Sequence, residues 1–145
     1  NEVQQLIAVS NEDPLWQTAN EEVLRYYAPV TMARKVINDV NVQGCPMHAG
    51  DQTLVTFPAA NHDPRVFENP GQLNLRRNPT NHMGFGFGLH FCLGAPLARL
   101  EVELALGALM NKFSRIEMAC TREELSWHPT MLSRGLHKLP VILHH

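Results

Sequence analysis

An α+β fold is the expectation for these 145 residues, and three observations carry it. Helical period occupies two well-separated stretches, about residues 15–27 and about 95–113. Short β-branched runs punctuated by turn residues fill the interval from about 30 to 57, and strand-like pieces follow the second helix. Pattern of this kind predicts helices combined with small antiparallel sheet pieces.

Taken in order, Glu2-Val3-Gln4-Gln5-Leu6-Ile7 reads as the end of a helix, and the polar run Ser10-Asn11-Glu12-Asp13-Pro14 breaks it from the next. Pro14 suits a helix start because its missing N–H is one that no helix could satisfy, and Pro29 closes the same helix. Strands are predicted at Thr31–Ile37, Val40–Val42 and Thr53–Phe57, with turns at Asn38-Asp39, Gly44 and Gly50-Asp51, forming a small antiparallel sheet. Asn61 to Met83 is rich in Asn, Pro, Asp and Arg with little period. A long helix begins near Ala95, where Pro96 falls at the first helical turn, and strand-like pieces lie around Arg115–Met118 and Leu136–Leu143. No internal repeat, low-complexity tract or domain linker interrupts the chain.

Composition narrows the function classes. Hydrophobic residues make up 44%, charged residues 18% and the net charge is −2, which leaves no electrostatic footprint for nucleic acid. The longest apolar stretches, such as Leu104 to Met110, fall well short of the roughly 20 residues that span a bilayer, so no membrane association is expected and the cytoplasm is the expected compartment. Three cysteines, Cys45, Cys92 and Cys120, are too far apart for a Cys-x-x-Cys zinc site and odd in number for a disulfide framework.

One cysteine has special surroundings. Cys92 follows Gly84, Gly86 and Gly88 and lies just ahead of the helix that Pro96 opens. Glycine at such density serves a backbone that takes positive φ or passes close to something flat. A helix N-terminus favours negative charge, so a thiolate metal ligand suits the position. A nucleotide-binding loop is excluded, because no Gly at 89 or 91 completes Gly-x-Gly-x-x-Gly.

The run Phe85-Gly86-Phe87-Gly88-Leu89-His90-Phe91-Cys92-Leu93-Gly94 resembles the haem-binding loop of the cytochrome P450 family, with Phe87 where many bacterial relatives carry His. Glu22-Val23-Leu24-Arg25 resembles the family's Glu-x-x-Arg and is followed by Tyr27-Ala28-Pro29-Val30 and Arg34. Ala60-Asn61-His62-Asp63-Pro64, Ala95-Pro96-Leu97-Ala98-Arg99-Leu100-Glu101 and Arg134-Gly135-Leu136 ahead of Leu139-Pro140-Val141 extend the likeness from end to end, in the manner of the soluble bacterial branch.

The resemblance implies a haem-thiolate monooxygenase that inserts one oxygen atom of O2 into a small lipophilic substrate, with ferredoxin or a similar protein as electron donor. It implies haem b, with Cys92 as the catalytic iron ligand, whose electron donation favours O–O cleavage. Implied haem contacts are Cys92, His90, Arg34, Phe85, Gly88 and Gly94. Among them His90 and Arg34 serve the propionates, Phe85 shields the sulfur from water, and Gly94 and neighbouring amides donate to it. Val30, Leu132 and Ser133 are implied to reach the substrate cavity.

Glu22 and Arg25, an ordinary exposed pair by spacing alone, are implied to be a buried structural pair that ties their helix to the 61–83 segment. Gln72 stands where many relatives carry an Arg that completes this set, which leaves Arg76 or Arg77 to replace it. The family's full domain is roughly three times longer than this chain, against a usual domain length of about 100–200 residues. Residues 1–145 are therefore expected to be the C-terminal haem-ligating portion of a single domain, with the N-terminal portion and its distal acid–alcohol helix absent. Residue 1 is Asn rather than Met, and His144-His145 are given no functional weight. This piece alone is expected to be inactive. The alternatives are a truncated haem-binding or structural remnant without oxygenase activity, and a peroxide-using peroxygenase.

Overall fold

The computed structural model describes residues 14–78 and 81–145. The expected helix end at Glu2–Ile7 and the polar break at Ser10–Asp13 lie outside the described residues. Helix α1 spans Pro14–Tyr27 and buries Leu15, Trp16, Ala19, Asn20, Glu22 and Arg25, a stripe set by the helical period. Its apolar end forms a small core in which Leu15, Trp16 and Ala19 meet Leu75, with Leu73, Leu106 and Met110 packed against them. Thr18 adds a polar tie by donating its hydroxyl to the Leu75 carbonyl at 2.9 Å.

Two separate ribbons replace the single sheet expected after α1. Strand β1 (Thr31–Lys35) pairs antiparallel with β4 (Gln52–Thr56), and β2 (Val40–Val42) pairs with β3 (Cys45–Met47). Strand β3 is absent from the sequence expectation, and Pro46 within it is a residue that strands disfavour. It survives on a two-stranded ribbon, where a missing N–H leaves no central ladder broken. Between these strands Gln43 (φ 50°) and Gly44 (φ 89°) both take the left-handed region, as a two-residue hairpin turn requires, and the Gly44 amide donates to Asn41 Oδ1 at 2.7 Å. The strand expected to run to Phe57 stops one residue sooner. Phe57 opens the short helix α2 (Phe57–Ala60) and is buried, because Pro58 cannot extend a ladder but suits a helical first turn.

Residues 61–78 form turns without helix or strand, pinned by buried Phe67 and Leu75. Helix α3 (Ala95–Lys112) follows the cysteine loop, and β5 (Arg115–Met118) pairs with β6 (Val141–His144). The last strand is shorter than expected: Leu136 makes only an isolated bridge with Trp127. His144 belongs to β6, and its Nε2 lies 3.0 Å from Glu117 Oε2.

Only Ala95 and Gly107 of α3 are fully buried, while Leu97, Leu100, Leu104 and Leu109 stay exposed. A helix apolar on nearly every side is otherwise a buried one. No described helix is long and apolar enough to cross a membrane.

Candidate functional site

Two glycines bend the cysteine loop. Gly86 (φ 77°) and Gly88 (φ 68°) lie in the left-handed region, which side-chain-bearing residues rarely adopt, and a single 3-10 turn covers Gly88–His90. Internal bonds hold the loop: Gly86 N–H donates to the Met83 carbonyl at 3.0 Å, Phe91 N–H to Gly88 at 3.0 Å, and Cys92 N–H to Phe85 at 2.9 Å. The Cys92 carbonyl then accepts from Ala95 N–H at 3.2 Å, and Gly94 caps α3.

The Cys92 thiol is free and exposed among bare apolar side chains: Leu89 and Leu93 are essentially fully exposed, and Phe87 and Phe91 are exposed as well. A Cβ on Gly94 would stand 3.8 Å from Sγ, ordinary contact distance, so glycine there leaves one side of the sulfur open. Half-buried Phe85 leans toward Phe91 with ring centroids 6.3 Å apart, and the Arg99 guanidinium lies 4.7 Å over the Phe85 ring. A soft thiol donor, a flat apolar rim and a glycine-lined backbone fit a large planar group ligated through sulfur.

Behind the loop lies a buried charge network. Arg25 and Glu22 have no exposed side-chain surface and pair bidentately, Nε to Oε2 at 2.7 Å and Nη2 to Oε1 at 2.9 Å. Arg25 also donates to the carbonyls of Asn61 (2.8 Å), Pro70 (3.0 Å) and Gln72 (3.3 Å). Glu22 Oε1 accepts from the Asn74 amide at 2.9 Å and from Arg77 Nε at 3.2 Å. Arg77 thus takes the third place in the set, Gln72 contributes its carbonyl, and Arg76 is exposed. Burial alone would raise the Glu22 carboxyl, but the bonds from Arg25, Asn74 and Arg77 together outweigh it and hold the group below its ordinary range.

Four residues to which the sequence assigned no role support the cysteine loop: Asn61 joins it to this network, and Glu21, His82 and Arg99 form a second set beside it. Fully buried Asn61 makes the join, because its carbonyl accepts from Arg25 and its Oδ1 accepts from Met83 N–H at 2.6 Å. Glu21 points the other way from Glu22. Its carboxylate takes both Nε and Nη2 of Arg99, the latter at 2.8 Å, and His82 Nε2 at 2.8 Å. The Arg99 bonds are the main reason its carboxyl is held below the ordinary range, partly opposed by burial and helped by His82. Gly84 N–H donates to His82 Nδ1 at 3.0 Å, so the ring proton sits on Nε2 and donates to Glu21. Glu21, Asn61, His82 and Arg99 carry no local signal of this arrangement, since the bonds that link their segments span 22 to 78 residues.

The remaining expected positions are dispersed. Arg34 is exposed on β1, where its guanidinium meets the Ala33 carbonyl at 2.9 Å and Met32 Sδ at 3.3 Å. His90 is exposed, and its ring makes no hydrogen bond or ion pair among the described residues. The structure does bring Val30, Leu132 and Ser133 together: Val30 bridges Ser133, and Thr31 N–H donates to the Leu132 carbonyl at 2.9 Å. Ser133 also edges an open groove of about 670 Å³ shared with Tyr26, Tyr27, His62, Trp127 and Arg134.

The family model that matches the chain is that of cytochrome P450, over residues 9–141. The polyketide biosynthesis cytochrome P450 PksS of Bacillus subtilis is 47% identical over 128 residues, 87% of this chain and 32% of that protein. The cytochrome P450 monooxygenase PikC of Streptomyces venezuelae is 39% identical over 139 residues, 94% of this chain and 33% of that protein. Among solved structures, PksS superposes with a TM-score of 0.91 at 43% identity, covering 99% of this chain and 37% of that one. P450BioI in complex with an acyl carrier protein ligated to hexadec-9Z-enoic acid gives 0.85 at 36% identity, covering 97% and 36%. The chain therefore spans about a third of the length of the relatives it matches.

Proposed function

Because the chain belongs to the cytochrome P450 family, we propose that it is the C-terminal, haem-ligating portion of a single-domain monooxygenase that inserts one oxygen atom of O2 into a small lipophilic substrate. The observation that carries this reading is the exposed Cys92 thiol, set in a glycine-bent apolar loop at the start of α3. Haem b, once bound, supplies reductive activation of dioxygen. The chain's own residues serve that group. Cys92 provides the thiolate, nearby backbone amides including that of Gly94 steady the sulfur, and the Phe85 ring keeps water from its side. Gly88 lets the backbone lie close to the macrocycle, while His90 and Arg34 present donors to the propionates. Val30, Leu132 and Ser133 border the substrate side.

A ferredoxin or similar protein delivers electrons to a cytoplasmic enzyme. The remainder of the domain, N-terminal to this portion, covers the bare leucines of α3. Relatives named as 6-deoxyerythronolide B hydroxylase and vitamin D3 dihydroxylase support the lipophilic substrate class. The test is turnover of a panel of lipophilic compounds by the full-length haem-loaded protein with an electron donor under isotopically labelled dioxygen. One labelled oxygen atom in the product is expected. Turnover supported by peroxide but not by dioxygen and donor would mark a peroxygenase, and haem without either activity a remnant; each result overturns the reading.

His90→Ala and Arg34→Ala are expected to loosen haem while the thiolate signature persists. Each removes a charge-assisted bond worth roughly 1.5–3 kcal/mol, enough for an increase in haem dissociation of about ten- to a hundredfold. Unchanged transfer of haem to an apo-globin acceptor by both variants would remove these residues from the propionate role.

A further inference from the structure

We infer that Glu21 is a positioning residue for Cys92: one carboxylate clasps both ends of the loop that carries the sulfur. The inference rests on the reading of Cys92 as the iron ligand. On the incoming side, His82 donates Nε2–H to Glu21 at 2.8 Å and accepts the Gly84 amide on Nδ1 at 3.0 Å. On the outgoing side, Arg99, one turn into α3, gives the same carboxylate a bidentate pair and lies 4.7 Å over the Phe85 ring. Phe85 in turn accepts the Cys92 amide at 2.9 Å. A closed circuit results, running from Glu21 through His82 and Gly84 into the loop and back through Phe85 and Arg99.

Glu21 and Glu22 are neighbours on α1, turned about 100° apart around its axis. One carboxylate faces the 61–78 segment and sustains the fold, whereas the other faces the cysteine loop. The His82 side chain is only 3% exposed, so its two bonds are sheltered from competing water. Space at Gly84 is equally committed, since a Cβ there would stand 2.9 Å from His82 Nδ1 and 3.0 Å from the Leu24 carbonyl. Tying the two ends of a loop removes alternative paths between them, and a thiolate bond to a fixed metal is sensitive to where the sulfur is held.

The experiment uses the full-length haem-loaded protein and compares Glu21→Ala, which opens both arms, with His82→Phe, which opens one and keeps an aromatic ring beside Phe85. Amide hydrogen exchange at Gly86 and Cys92 reports the loop, and the reduced CO-bound spectrum at matched haem content reports the thiolate. Glu21→Ala is expected to speed both exchange and decay of the thiolate-type band about tenfold, the scale typical of lost outer-shell support, with a smaller change in His82→Phe. A thiolate band in both variants as durable as in the parent would overturn the clasp, whatever exchange shows. Should Glu21→Ala fail to fold, His82→Phe alone decides by the same criterion. Cys92→His separates the two readings. If it abolishes the band, a null result in the clasp variants counts against the clasp alone; if the band survives, the ligand reading falls and the clasp with it.

Discussion

Glu22→Ala in the full-length protein is expected to give largely misfolded, haem-poor material. Glu22 has no exposed side-chain surface and receives Arg25, the Asn74 amide and Arg77. Its removal strands the Arg25 guanidinium in a dry site with neutral carbonyl and aromatic partners and no counter-charge, and breaking such a buried pair costs about 3–5 kcal/mol. Typical domains hold about 5–15 kcal/mol in total, so much of the margin goes. Glu123→Ala, on an exposed position of the 3-10 turn at Arg122–Glu124, is the control and should stay within about 0.5 kcal/mol of the parent in denaturant titration.

The same carboxylate makes the fold acid-sensitive. The Glu22 and Glu21 carboxyls are held below their ordinary range in the folded state, so their stabilising contribution is complete above that range. It drains away as pH falls through the ordinary carboxylate range toward the depressed folded values. Normal haem content and an unshifted unfolding midpoint in Glu22→Ala would refute the structural role.

Cys92→His in the full-length protein is expected to abolish the thiolate-type band of the reduced CO complex together with oxygen insertion. Imidazole binds haem iron well but supplies no anionic sulfur to favour O–O cleavage. Cys45→Ser and Cys120→Ser serve as matched controls, since Cys45 is exposed on the β2–β3 ribbon and Cys120, partly exposed, follows β5. Both should keep the full band. A thiolate band that survives in Cys92→His, or is lost in either control, would move the ligand assignment elsewhere.

Where the chain's instructions are local, they were legible. Helix α1 ends at Tyr27, ahead of Pro29, and α3 starts at Ala95 beside Pro96, close to the expected bounds, because proline geometry and helical period act within a few residues. Pro46 shows the limit of that logic. A proline forbids a central strand, yet whether a ribbon is central or lies at an edge depends on what else pairs with it, which no local pattern records.

Sequence alone determined the α+β class, the glycine-bent loop around Cys92 and the likeness to a haem-thiolate family, each read from short local patterns of about ten residues or fewer repeated or scattered along the chain. Tertiary structure decided whether Glu22 and Arg25, an ordinary i,i+3 spacing, sit in water or in a dry core. It also decided that Arg77 rather than Arg76 completes their set, across 55 residues, and that Glu21 meets Arg99 across 78. The physical reason is that a charged side chain's energy depends on its solvent and its partners. Those are set by which distant segments the folded chain brings together, and the identity of the residue is the same in either environment.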